Sequence, residues 1–350
     1  MKQLLIFGIS AFLLIGGCRA PKDGGDTVTG DTLKLSKTHQ IVFADLAIGQ
    51  AQIIKDDVEG FFDRIKKLDM QIQMNSVSRG DRATLLKDYK AHLQSSVMDF
   101  TDSERAFVTK TITKAFELVN AVDPNIFLPN ITMIKCNMNH YGEGVFYTRE
   151  DAIVIPSNTL VQQDETDFLK TMIHEIFHIY ARYNPKKRDE LYKYIGYYPI
   201  TPPTIPPILD RRVLLNPDGV NYNYGIKVDR KTTGQEITAI PLIYSKKLNF
   251  MPAEPDFFQY LQFNLFEVDN GAVKVTRNGD TNVLIKNIAK FYEQIGTNTQ
   301  YIIHPDEVLA DNFILMCLSQ NDPDILKEYR IRPQGKKLIN DLKAIIKKQE

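Results

Sequence analysis

The chain has 350 residues, 43% of them hydrophobic, with 43 basic and 43 acidic side chains and a formal charge of zero. That apolar content suffices for a sizeable core in one large or two modest domains. With no excess of either sign, nothing in the charge favours a nucleic acid or an anionic surface, and no nucleic-acid partner is expected.

The first eighteen residues read as an export signal. Lys2 opens them, residues 4–15 are an apolar run, and the small Gly16 and Gly17 precede Cys18. The tetrapeptide Ile15-Gly16-Gly17-Cys18 resembles the bacterial lipobox, which implies lipidation of Cys18 and a membrane contact through acyl chains, each buried methylene contributing roughly 0.8 kcal/mol. The bland alternative is an ordinary signal peptide with an incidental cysteine. Arg19 stands where many lipoproteins kept at the inner membrane have Asp, so the expectation is an outer-membrane placement in a bacterial envelope. Residues 19–35, rich in Gly, Asp and Thr, read as a flexible tether.

Residues 36–125 are expected to be helical. Phe43, Leu46, Ile53, Phe61, Phe62 and Leu68 suggest amphipathic spacing, residues 82–97 form a second candidate, and Thr101-Asp102-Ser103-Glu104 is a capping box before a third. Residues 126–199 bring a change of texture. Residues 127–136 and 145–155 read as strands around the turn Tyr141-Gly142-Glu143-Gly144, and a helix is predicted from about 165 to Tyr183, stopped by Asn184-Pro185. Residues 200–282, with four prolines between 202 and 207 and several alternating runs, read as a β-rich insertion or subdomain. Helices are expected again in residues 283–350: from 283 to 293, after Pro305, and from about 336 to the end. The fold class is therefore α+β. Cys136 and Cys317 read as core thiols, with one disulfide as the alternative in an exported chain.

The most specific signal is His174-Glu175-Ile176-Phe177-His178. Residues four apart on a helix leave by nearly the same face, so both imidazoles can grip one ion. Glu175, one position on, can reach a water activated by that ion without ligating it. Phe168, Leu169, Met172, Ile173, Ile176, Phe177 and Tyr180 make the helix apolar almost all round, and buried histidines there need a compensating partner. Zn2+ with His174 and His178 as ligands and Glu175 as general base is the expectation.

A third ligand must come from farther away, because residues 179–185, directly after His178, lack the Gly and third His of the extended metzincin motif. The segment His304-Pro305-Asp306-Glu307-Val308-Leu309-Ala310-Asp311 places Glu307 and Asp311 on one helix face. Together with HEIFH it resembles the gluzincins, the thermolysin-like zinc peptidases. The resemblance covers the two zinc helices and the strand before them, about a third of the chain. It implies Glu307 as third ligand, Asp311 as the carboxylate steadying the His174 ring, and a zincin-like core with an N-terminal helical region and a β-rich insertion. In that family an edge strand before the metal helix pairs with extended substrate, a role open to residues 144–149 or 152–156. His304 is the competing ligand or a donor to the transition state, with Glu190 and Glu254 as weaker candidates. Tyr180, Arg182, Tyr183 and Tyr301 lie near the motifs, and none is assigned as transition-state donor. The implied activity is a peptidase acting on a peptide or protein. The rivals are an amidase acting on cell-wall peptides and a non-catalytic zinc-site lipoprotein that binds within an envelope complex.

Overall fold

A computed structural model describes residues 32–137, 140–162 and 164–348; Cys18 and the segment expected to be an export signal lie outside them. The chain is mixed α+β, as its texture suggested, and is built on two six-stranded sheets. The first contains β1 (Thr32–Lys34), β2 (Gln40–Phe43), β3 (Val97–Met98), β4 (Asn130–Cys136), β5 (Tyr147–Arg149) and β6 (Ala152–Pro156). Its order is β1-β2-β4-β6-β5, with β3 alongside β4. β2, β4 and β6 run parallel, and β5 turns back antiparallel to form one edge.

Alternation along these strands separates two cores. Ile41, Phe43, Ile131, Met133, Ile153 and Ile155 face one side, while Ile134, Cys136, Ala152 and Val154 face the other. Burial on both faces is the expected environment of parallel strands. Six helices have ten or more residues among those described: α1 (Arg82–Ser95), α2 (Asp102–Val122), α3 (Glu165–Tyr183), α4 (Pro185–Tyr194), α5 (Pro305–Leu318) and α6 (Pro333–Lys347). α2, α3 and α5 share the first core, and α1 with short helices around Phe61 and Leu68 lies in the second. The sheet is thus the middle of three layers.

The second sheet contains β7 (Tyr197–Pro199), β8 (Tyr224–Arg230), β9 (Glu236–Ser245), β10 (Leu261–Asp269), β11 (Ala272–Val273) and β12 (Ile288–Ala289), all antiparallel. Ile226, Val228, Ala239 and Leu265 join the first core, so the β-rich stretch is packed into the main body. Its other face, with Ile240, Leu242, Tyr244 and Phe266, closes over Leu209 and Val213.

Several expectations need correction. Residues 40–43 form a strand, since Ile41 and Phe43 alternate into the core beside β4. The tether expected through residue 35 is cut short by β1 pairing with β2. The strand expected over 145–155 is a hairpin, turning at Glu150, whose φ of 55° places it in the left-handed region. Residues 213–215, within the stretch read as β-rich, contribute only a single bridge, Val213 to Tyr244. The helix expected over 283–293 is a 3₁₀ turn, β12 and a short helix. Pairing of Ile288 and Ala289 with β8 overrides the local spacing there, and Lys290 at φ 67° breaks any continuous helix. Cys136 and Cys317 are both buried and form no disulfide.

Candidate metal centre

Local chemistry fixes the two helices that form the site. α3 starts at Asp164, whose carboxylate accepts from the backbone N–H groups of Thr166 and Asp167, with Glu165 and Asp167 in the dipole-favoured first turn. It ends where Asn184 N donates to Tyr180 O, and Pro185 then starts α4. Every residue from Thr171 to Arg182 along α3 is buried, so nearly the whole helix is a core element. α5 begins with Pro305 at its first position, and the His304 ring caps it by accepting from Asp306 N through Nδ1 at 3.2 Å.

The two helices bring three donors together. His174 Nε2 lies 3.0 Å from Glu307 Oε2, and His178 Nε2 lies 3.4 Å from the same oxygen. The ligand atoms of His174, His178 and Glu307 are all within 4.8 Å of one another. An ion bound at zinc distances has ligand atoms roughly 3.3 Å apart at the corners of a tetrahedron. The trio therefore has the size and chemistry to hold a metal ion. Two imidazoles and a carboxylate do not by themselves choose between zinc and iron.

The surrounding groups orient these donors. Asp306 Oδ2 lies 2.6 Å from His178 Nδ1, and Tyr192 OH donates to Asp306 Oδ1 at 2.7 Å. Asp311 Oδ1 lies 3.2 Å from His174 Nδ1, close enough for an ion pair though out of hydrogen-bond alignment, and the Thr299 hydroxyl donates to Asp311 Oδ2. Tyr301 stacks on the His174 ring, with planes 27° apart. Asn216 Nδ2 donates to Glu307 Oε1 at 2.7 Å, which leaves Oε2 to face the rings. A carboxylate at each Nδ1 holds the proton there and turns the Nε2 lone pair inward.

Electrostatics follow from burial. Burial opposes charge on His174, but the carboxylates of Asp311 and Glu307 outweigh it and raise the ring to about 10. His178 is likewise raised well above its ordinary value by Glu307, Asp218 and Asp306 despite burial. Glu307, though buried, is pulled well down by the two rings. Glu175 is pushed up to about 8 by burial and by the neighbouring Asp218, and its Oε2 is buried without a hydrogen-bond partner. His178 Nε2 is equally unpartnered. Such orphaned buried atoms mark a place for an ion or water.

The structure therefore brings His174, Glu175, His178, Glu307 and Asp311 together. His304 is not part of the converging trio: its ring caps α5 and packs on Gly219. Glu190 and Glu254 pair with Lys187 and Lys247, away from the trio. Arg182 is buried against Glu59, at 2.6 Å, and the Glu150 carbonyl, and Tyr183 reaches Glu150. Sequence reasoning missed Asp306, Asn216, Asp218 and Tyr192. Asp306 could have been found as a second acid in the same first turn as Glu307. Asn216-Pro217-Asp218-Gly219 is a recognisable turn, but nothing local ties it to HEIFH. β5 is an edge strand beside α3, and Asp218 Oδ1 accepts from Thr148 N at 2.8 Å on that edge. No family model, curated protein or solved structure matches the chain.

Proposed function

We propose that the protein is a zinc-dependent hydrolase with a gluzincin-like site in a zincin-like core, acting on the amide bonds of a peptide or protein. His174, His178 and Glu307 would hold the ion. Bound zinc would supply a polarising charge and an acidified water. Glu175 takes the proton from the attacking water and delivers it to the leaving amine. Its raised pKa suits a group that must both accept and return a proton near neutrality. Asp306 and Asp311 hold the rings in one tautomer, and Asn216 steadies Glu307.

The observation that carries this reading is the Glu175 carboxylate, buried beside the donor trio with Oε2 unpartnered. A site that only needed to hold an ion has no use for such a base. Together with the lipobox resemblance, the reading places the activity on a lipid tether at the bacterial cell envelope. The deep burial of the donors favours one rival, a closed zinc site in a binding component of an envelope complex.

The test is metal content by mass spectrometry together with cleavage of a peptide library, for the wild type and Glu175→Gln. The expected result is about one zinc per chain in both, with cleavage, however slow, only in the wild type. Iron in place of zinc, or equal cleavage by Glu175→Gln, would sink the proposal.

A further inference from the structure

His174, Glu175, His178 and Glu307 are each at most 5% exposed. A small cavity that reaches His178 but not the other three, lined also by Tyr192, Asp218, Gly219, His304 and Asp306, is about 10 Å³, room for one water. Residues 216–219, Asn-Pro-Asp-Gly, lie against the site, with Asn216, Pro217 and Asp218 buried. Asn216 Nδ2 donates to Glu307 Oε1, and Asp218 offers a carboxylate oxygen within 4.8 Å of ligand atoms of both Glu175 and His178. The same carboxylate accepts from the backbone N–H and hydroxyl of Thr148, the donors on the open side of β5. Arg182 lies 3.8 Å from Asp218 and donates to the Pro217 carbonyl at 3.5 Å. Gly219 sits so close to His304 that a Cβ there would come within 2.3 Å of Nδ1.

We propose that residues 216–219 are an intramolecular latch, in which Asp218 occupies the approach to the metal site and the edge donor that an extended peptide would need. The inference rests on the hydrolase reading of that site and adds to it a closed resting state. The latch is a short turn between two apolar anchors. Leu215 is buried with its N–H donating to Asp69 Oδ2 at 2.8 Å, and Val220 is fully buried. The turn's own site contacts are polar, so water can replace them when it lifts while the anchors stay seated. One movement would uncover Glu175, release Glu307 Oε1 and free Thr148 N–H for strand addition. A closed majority state lowers apparent affinity for anything that needs the open one.

The experiment compares zinc-loaded wild type with Asp218→Ala and Asp218→Asn. The Asn variant keeps an acceptor for Thr148 and covers the case in which Ala does not fold. The readouts are acetohydroxamate binding by calorimetry and peptide-library cleavage. Vacating a fourth ligand position would also raise hydroxamate affinity, so zinc affinity is measured alongside by chelator competition: it stays unchanged if Asp218 is a latch, and a fall in Asp218→Ala would make Asp218 a ligand and overturn the proposal. The expected result is binding tighter by roughly tenfold or more in a folded variant, with faster cleavage that disappears in Asp218→Ala/Glu175→Gln. Equal hydroxamate affinity in wild type and both variants overturns the latch. Tighter hydroxamate binding without cleavage by any form keeps the latch and removes the hydrolase reading. Absence of bound zinc in every form removes both.

Discussion

Asp306 Oδ2 and His178 Nδ1 stand 2.6 Å apart, both buried, with Tyr192 OH fixing the other Asp306 oxygen. The carboxylate holds the ring in one orientation and tautomer, as Asp311 does for His174 at 3.2 Å. Asp306→Asn and Asp311→Asn should each weaken metal binding about 10- to 100-fold. Asp306→Asn should have the larger effect, because its contact is shorter and aligned. Chelator competition measures this, and unchanged affinity in both variants would count against the orienting role.

Glu307 and His304 separate cleanly by mutation. Glu307→Ala should abolish tight metal binding, since it removes the oxygen that faces both Nε2 atoms. His304→Ala should keep the metal and cost about 1 kcal/mol of stability through the lost cap of α5. Metal retained in Glu307→Ala and lost in His304→Ala would reverse the assignment of the third ligand.

Metal uptake should release protons. Without an ion, His174 is raised to about 10 and His178 well above its ordinary value, so both rings carry a proton at pH 7. Ligation needs them neutral at Nε2, and about two protons should leave per ion, with affinity rising as pH rises. Titration calorimetry in two buffers of different ionisation enthalpy counts the protons. A count near zero would mean that the rings are already neutral.

Asp69 sets a pH dependence of stability. Burial pushes its carboxyl up to about 7, although Gln73 and the Leu215 N–H oppose the shift. An acid raised in the folded state binds its proton there while the unfolded chain has lost it. The associated stability is therefore full below pH 4 and is lost as pH rises through 7. Between pH 4 and 8 the gap between wild type and Asp69→Asn should change by up to a few kcal/mol in favour of the variant. Urea unfolding at several pH values tests it, and parallel curves would show that Asp69 titrates like an exposed acid.

The legible part of the molecule was the part written at short range. HEIFH, the acids at the start of α3, the Thr101 capping box and Pro305 with Glu307 and Asp311 each lie within one or two helical turns. Each element formed where its spacing said it would. The misread parts depend on partners far along the chain. Ile41 and Phe43 are a strand because β4 lies beside them, and Ile288 pairs with β8 against its local spacing. Asn216 meets Glu307 across 91 residues and Asp218 meets Thr148 across 70, distances over which no periodicity speaks. The turn Asn-Pro-Asp-Gly could be read as a turn, but not as the cover of the site.

The same separations bear on how the protein is made. His174 and Glu307 are 133 residues apart, and the latch comes from a stretch between them. Closing such long loops comes late and slowly in folding. A nascent chain that has not yet released Pro305 can offer an ion the two histidines but not Glu307. Full-strength metal capture therefore reports that α5 has docked, and a truncation anywhere before α5 should yield a protein that binds metal only loosely, however well its first sheet has formed.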